Sequence, residues 1–143
     1  PPSSMKRNEP VSKIMSTQVA TVHHGDPVSK VRRIVKERGV HHIPVVNGDQ
    51  LVGIVSFSDV LRVSFGDAFD TDERAVDATL DHTLKLEDIM SAQPVSLQET
   101  ATIREAAEVL ARGDFHAVPI VHGTKLVGIV TSTDLIKYLL DQF

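Results

Sequence analysis

The sequence predicts an α/β protein built from two copies of one small unit. Each copy is a short sheet with flanking helices, and the two are related by a pseudo-two-fold axis. Three observations predict this. Residues 11–61 slide onto 86–136 without a gap, and 14 of those 51 positions are identical, against about three expected from average composition. Each copy carries two apolar runs of strand length around a Gly-containing turn, 43–46 with 51–55 in the first. Ahead of the strands, each copy shows apolar residues at helical spacing. The expected division is a tail over 1–10, a first repeat over 11–62, an acidic linker over 63–85 and a second repeat over 86–143.

Each repeat opens on one apolar helical face: Val11, Ile14 and Met15 in the first, Leu86, Ile89 and Met90 in the second. A single turn does not hold itself together in water, so each is expected to dock on the other half. Short extended pieces follow at 19–22 and 95–97. The first long helix is expected to use Asp26 as N-cap and Pro27 as first helical residue, whose missing N–H leaves nothing unpaired. Val28, Val31, Ile34 and Val35 form its buried stripe, Lys30, Arg33, Lys36 and Glu37 face water, and Gly39 ends it. Its counterpart starts at Thr100 or Thr102, the latter with Glu105 placed for a capping box. That helix buries Ile103, Ala106, Ala107 and Leu110 and ends at Gly113 or Asp114.

Two strands then form a hairpin about residues 47–50, matched by 122–125. Pro44 and Pro119 lack a donor N–H and belong at a strand start or an edge. Gly53 and Gly128 stand inside strands, where glycine costs stability, so another backbone or a ligand is expected to approach closely there. The closing helices begin near Ser58 and Thr133. The stretch 63–85 holds six acids and two bases, a balance equal to the whole formal charge of −4. Ala75, Val76 and Leu80 are spaced for a short helix, but the expectation is a solvated linker.

Bulk properties narrow the function. The chain is 41% hydrophobic with no Trp, so its core is aliphatic. A charge of −4 offers no basic field for nucleic acid or an anionic membrane. The absence of Cys removes disulfides, thiolate metal sites and a Cys nucleophile, and is compatible with a reducing cytoplasm. No apolar stretch approaches the roughly 18 residues of a membrane span, and the first residues have no signal pattern. Pro1 cannot be a translation start, whereas Met5 can, and residues 1–4 are given no role. His23-His24 and His41-His42 are adjacent pairs. Neighbours on a strand point to opposite faces, and no zinc-ligand spacing is present, so no metal site is expected.

The stretch spelled twice is an apolar run followed by two hydroxyls and a carboxylate: Gly53-Ile54-Val55-Ser56-Phe57-Ser58-Asp59 and Gly128-Ile129-Val130-Thr131-Ser132-Thr133-Asp134. It reads as a buried strand running into a helix start. Free N–H groups and the positive end of the helix dipole make such a start a place for a phosphate, with a sugar beside it. Plain capping by Ser56-x-x-Asp59 and Thr131-x-x-Asp134, worth about 1 kcal/mol each, accounts for the same residues without a ligand. The two readings are compatible.

With Ile-Met-Ser at each opening, His-x-x-Pro before each strand and Gly-Ile-Val-Ser/Thr-x-Ser/Thr-Asp at each close, residues 11–61 and 86–136 resemble the CBS domain, named after cystathionine β-synthase. The resemblance implies a stand-alone pair of repeats packed through their sheets, a Bateman module, commonly a homodimer forming a disc of four repeats. It implies an adenine nucleotide or related adenosyl ligand (AMP, ADP, ATP or S-adenosylmethionine) in the cleft between repeats, and regulation of a partner protein, as in energy sensing. Asp59 and Asp134 would hold the ribose through its adjacent hydroxyls, which a carboxylate can accept side by side. Ser56, Ser58, Thr131 and Thr133 would lie by the phosphate. His41, His42 and His116 would touch phosphates, and Ala117 in the place of His42 leaves the second copy fewer donors. Ile43, Val118, Thr21 and Ser96 would meet the base, although ordinary core packing explains the apolar pair equally well. No catalytic cofactor is implied, and no Walker-type loop or base–nucleophile pairing supports an enzyme. The competing reading is a structural or dimerising module with no nucleotide.

Overall fold

In the computed structural model, which describes residues 9–64 and 73–143, the opening segment of each repeat packs with the remainder of the other. One unit runs Ala20–Pro94 and so contains residues 86–94; the second joins residues up to 19 to Val95–Phe143. The docking expected of the isolated turns is therefore what the chain does.

The unit Ala20–Pro94 contains, in order, β1 (Val22–His23), α1 (Val28–Arg38), β2 (His42–Asn47), β3 (Gln50–Ser56), α2 (Phe57–Ser64), α3 (Glu73–Thr83), α4 (Leu86–Ile89) and β4 (Ser91–Ala92). β1 runs parallel to β2, β2 and β3 form the expected hairpin, and β4 adds antiparallel to β3. Pro44 is tolerated inside β2 because β1 pairs with that strand only from Val45 onward, so no donor is needed on that side. Val22, Val28, Val31, Ile43, Val45 and Val55 form the core, closed by Leu86 and Ile89 from the exchanged α4. These aliphatic side chains supply most of the drive to fold, about 1.5–3 kcal/mol for each one fully buried.

The acidic stretch departs from the solvated linker expected of it. Its second half is α3, and Val76 and Leu80 are buried in the same core. Two acids of α3 bind α1: Asp77 pairs with Arg32, and Asp81 accepts the Ser29 N–H at 2.8 Å and the Ser29 hydroxyl at 2.6 Å. Asp81 thus does for α1 what Asp26 was expected to do. Pro27, not Asp26, stands at the N-cap position and makes no side-chain cap bond. Asp26 turns back instead, taking the His23 N–H at 2.8 Å and the Lys30 ammonium at 3.0 Å. The N–H bond from His23 is the main reason its carboxyl titrates below the ordinary Asp range, with Lys30 adding to the effect against partial desolvation. His24 has left β1 for the turn, so the His23 and His24 rings lie 4.3 Å apart rather than on opposite faces.

The second unit repeats the plan. A 3-10 turn (Val11–Lys13) precedes β5 (Leu97–Gln98), α5 (Ile103–Ala111), β6 (Ala117–His122), β7 (Lys125–Thr131) and α6 (Ser132–Asp141). β5 is parallel to β6, β6 and β7 are a hairpin, and Ser16 bridges Ile129 as Ser91 pairs with Ile54. Thr102 caps α5 by accepting the Glu105 N–H at 3.1 Å. Val11 is fully buried among Ala106, Val118, Ile120 and Val130. Tyr138 of α6 donates to Glu9 at 2.8 Å, and Lys13 binds the other Glu9 oxygen at 2.9 Å. The Glu9 acceptor holds the Tyr138 hydroxyl above its ordinary pKa.

The strand glycines have a shared cause. A Cβ on Gly53 would stand 2.5 Å from Met90 Sδ and 3.1 Å from the Ser91 carbonyl oxygen; on Gly128 it would meet Met15 Sδ at 2.7 Å and the Ser16 oxygen at 2.9 Å. In each unit the exchanged segment lies directly on the strand where no side chain stands. Among the described residues no helix is long and apolar enough to cross a membrane.

Candidate functional site

Each unit brings its two-hydroxyl, one-carboxylate motif to the start of a helix. In the second unit the strand β7 ends at Thr131, and Asp134 sits in the first turn of α6. Asp134 Oδ2 accepts the Thr131 N–H at 2.8 Å and the Thr131 hydroxyl at 3.1 Å, while Thr131 Oγ1 accepts the Asp134 N–H at 3.2 Å. This reciprocal cap satisfies donors that have no intrahelical partner. It uses one carboxylate oxygen only. Asp134 Oδ1 accepts no hydrogen bond from the described residues.

The motif of the unit Ala20–Pro94 is built alike but filled differently. Asp59 Oδ2 accepts the Ser56 N–H and the Ser56 hydroxyl, each at 2.9 Å, and Ser56 Oγ accepts the Asp59 N–H at 3.1 Å. Here the second oxygen is taken: Arg62 Nη2 donates to Asp59 Oδ1 at 2.9 Å. The side chain of Asp59 is 17% exposed and that of Arg62 67%, so the pair is open to water and weak. Lys137 stands at the aligned position on α6 and makes no such bond. The sequence reading did not single out Arg62, although its place three residues after Asp59 is the spacing of a helical ion pair.

The aligned histidines lie next to these helix starts. The carbonyl of His41 accepts the Phe57 N–H at 2.7 Å, and that of His116 accepts the Ser132 N–H at 3.0 Å. Both imidazoles are exposed, as are Ser58 and Thr133, while His42 is half-buried opposite Ser56. The His41 ring meets Phe57 edge-on at 5.6 Å. Thr21, half-buried, precedes β1 and lies one strand over from β2; Ser96 does the same beside β6. Ile43 and Val118 are fully buried in the two cores. Their side chains serve packing, so the main chain is what these positions can offer a ligand. Each unit therefore places a carboxylate, two hydroxyls and a histidine residue at one helix start. Such a set can accept from a diol and donate to an anion. Among the described residues no three His, Asp or Glu side chains come together as a metal site.

The family model described as "CBS domain" matches residues 11–66 and 86–141, the two repeats and most of the chain. The chain belongs to the CBS domain family. A CBS domain-containing protein of Bacillus subtilis, YhcV, is 28% identical over 125 residues, 87% of this chain and 81% of that protein. An inosine-5'-monophosphate dehydrogenase of Korarchaeum cryptofilum is 31% identical over 118 residues, 82% of this chain but 21% of the enzyme. Against several curated relatives the chain thus spans less than half of their length. Among solved structures, the CBS-pair protein CBSX2 in complex with AMP superposes with a TM-score of 0.76 at 22% identity, over 93% of this chain and 97% of that one. The CBS domain pair of protein MJ0100, solved with 5'-methylthioadenosine and S-adenosyl-L-methionine, gives a TM-score of 0.74 at 22% identity, over 94% and 98%. These likenesses establish the CBS fold for both units.

Proposed function

We propose that this CBS pair is a regulatory, non-catalytic module that binds an adenine nucleotide or related adenosyl compound at its helix-start motifs. It passes its occupied state to a partner protein by binding ligand more tightly in one conformation than in another. The observation that carries the reading is Asp134. One oxygen locks the carboxylate at the helix start and the other is left to accept from a ribose hydroxyl. Thr133 and His116, both exposed, belong to the same helix start, where the His116 carbonyl accepts the Ser132 N–H, and are the proposed contacts for a phosphate. The AMP and S-adenosylmethionine complexes of CBSX2 and MJ0100 support the ligand class. Asp59 forms the second motif, masked by Arg62. Pairing with a second copy and residence in the cytoplasm complete the proposal.

The test is thermal unfolding against AMP, ADP, ATP and S-adenosylmethionine. A ligand at 100 times its Kd adds about 2.7 kcal/mol. Asp134→Ala lowers intrinsic stability by the lost cap, about 1 kcal/mol, and in addition abolishes most of the ligand-induced increment. An increment equal to the parent's would leave Asp134 as a cap and nothing more. No increment with any member of the panel would favour a structural module.

A further inference from the structure

The chain has no Cys and no Trp, so thioethers are its most readily oxidised side chains. Two of its three methionines hold equivalent places. Met90 lies on Gly53 and Met15 on Gly128, and the repeat maps one pair onto the other. In each pair the sulfur fills the space where a strand side chain would begin. A Cβ placed on the glycine meets Sδ before any other atom, at 2.5 Å for Met90 and 2.7 Å for Met15. Each methionine packs against the core of its unit. Each is only half-buried, so part of it meets water. Each also belongs to an exchanged segment, immediately ahead of the residue that pairs with the strand: Ser91 with Ile54, and Ser16 with Ile129.

A peroxide converts a thioether to a sulfoxide by oxygen transfer. The sulfur lone pair attacks one oxygen of hydrogen peroxide. An S–O bond forms as the O–O bond breaks, and the proton on the transferred oxygen leaves with the departing hydroxide as water. Sulfur is oxidised and the peroxide is reduced. The side chain changes from flexible and apolar to polar. Kept over the glycine, the new oxygen needs a donor. The Ser16 and Ile129 N–H groups beside Met15 are already bound to each other's carbonyls, at 2.9 and 3.0 Å, and an acceptor buried without a partner is costly. Swung out into water, the sulfoxide strips its contacts from a strand position that has no side chain of its own, and leaves a gap against the core. Either course weakens the hold of the segment on its strand.

We infer that Met15 and Met90 are a matched pair of oxidation sites. A peroxide converts each to its sulfoxide and loosens the opening segment from its strand, and reduction of the sulfoxide restores the contact. The inference stands apart from the Asp134 reading and is tested without ligand. The folded parent is treated with hydrogen peroxide beside Met15→Leu, Met90→Leu and the double variant. Leucine keeps the volume and apolar character but has no sulfur to oxidise. Peptide mass mapping is expected to find sulfoxide at both positions of the parent. Its Tm is expected to fall by about 3–8 °C, with amide exchange at Ser16, Ile129, Ser91 and Ile54 roughly ten-fold faster. Methionine sulfoxide reductases of both stereospecificities should reverse these changes. Each single variant should show faster exchange only in the unit that keeps its methionine. The double variant, which still carries Met5, should keep its Tm. A parent with both sulfoxides that melts like the untreated protein would overturn the inference. So would a double variant that loses as much as the parent, or thioethers that resist peroxide until the chain is unfolded, which would leave both methionines as packing groups only.

Discussion

Gly128→Ala measures how the exchanged opening segment is held. The backbone at Gly128 is one that alanine adopts without strain, since its φ lies outside the left-handed region. On its own the change would therefore stabilise by about 0.4–1 kcal/mol through the unfolded chain. Against this, the new Cβ would stand 2.9 Å from the Ser16 carbonyl oxygen, 2.7 Å from Met15 Sδ and 3.0 Å from Met15 Cγ. The thioether can rotate away; the carbonyl is backbone. It moves only by loosening the paired hydrogen bonds Ser16 N–H to Ile129 oxygen, 2.9 Å, and Ile129 N–H to Ser16 oxygen, 3.0 Å. Overpacking of this kind costs about 1–3 kcal/mol, leaving a net loss of about 1–2 kcal/mol, or a fall of roughly 3–8 °C in Tm. Gly53→Ala should cost less, about 0–1 kcal/mol, because its nearest backbone atom is at 3.1 Å and the tighter contact is the flexible Met90 sulfur. Urea unfolding of both variants gives the two losses. Amide exchange at Ser16 and Ile129 shows whether the segment has lifted. A Gly128→Ala protein as stable as the parent, or more stable than Gly53→Ala, would refute the account of why those strands carry glycine.

Asp81→Ala leaves the buried Ser29 N–H and hydroxyl without their acceptor and should cost about 1–3 kcal/mol, with faster exchange in the first turn of α1; Asp26→Ala should cost less, since Asp26 does not cap that helix. The chain has one Tyr and no Trp, so ultraviolet absorbance reads Tyr138 alone. Its folded pKa is raised above the ordinary tyrosine value of 10.0, so its contribution to stability is whole below pH 10.0 and is lost as pH rises through the raised value. Glu9→Gln should bring the absorbance midpoint down towards that of free tyrosine; an unchanged midpoint would show that Glu9 is not the cause. Asp26 works in the opposite sense. Its lowered carboxyl pKa adds stability that is present above its ordinary value of 3.8 and fades as pH falls, a loss that Asp26→Asn should remove from the acid limb of the unfolding curve. Arg62→Ala frees the second oxygen of Asp59. An exposed ion pair is worth at most about 1 kcal/mol, so adenosyl binding at that motif should tighten up to about five-fold, as isothermal titration of an Asp134→Ala background would show.

Much of this molecule was legible along the chain because it rests on local rules applied twice. The apolar runs, the hairpin turns at Gly48 and Gly123 and the Ser/Thr-x-x-Asp helix starts each depend on neighbours within a few residues. Local chemistry decides them whatever the rest of the chain does. The demand that an isolated turn such as Val11–Lys13 must dock elsewhere follows from the cost of nucleating a helix. What tertiary structure alone decided involves partners far apart in sequence. Asp81 caps α1 from 52 residues away. Val76 and Leu80 turn an acidic stretch into part of a core, since buried apolar area outweighs the polarity of the rest of α3. Met90 and Met15 settle on the strand glycines. The difference between Asp59 and Asp134 is also geometric: two residues in the same motif, one with its second oxygen bound by Arg62 and one with it open. Pattern specifies which side chains reach a helix start, but only the folded chain determines which of their atoms remain unpaired, because that depends on every donor brought within about 3 Å.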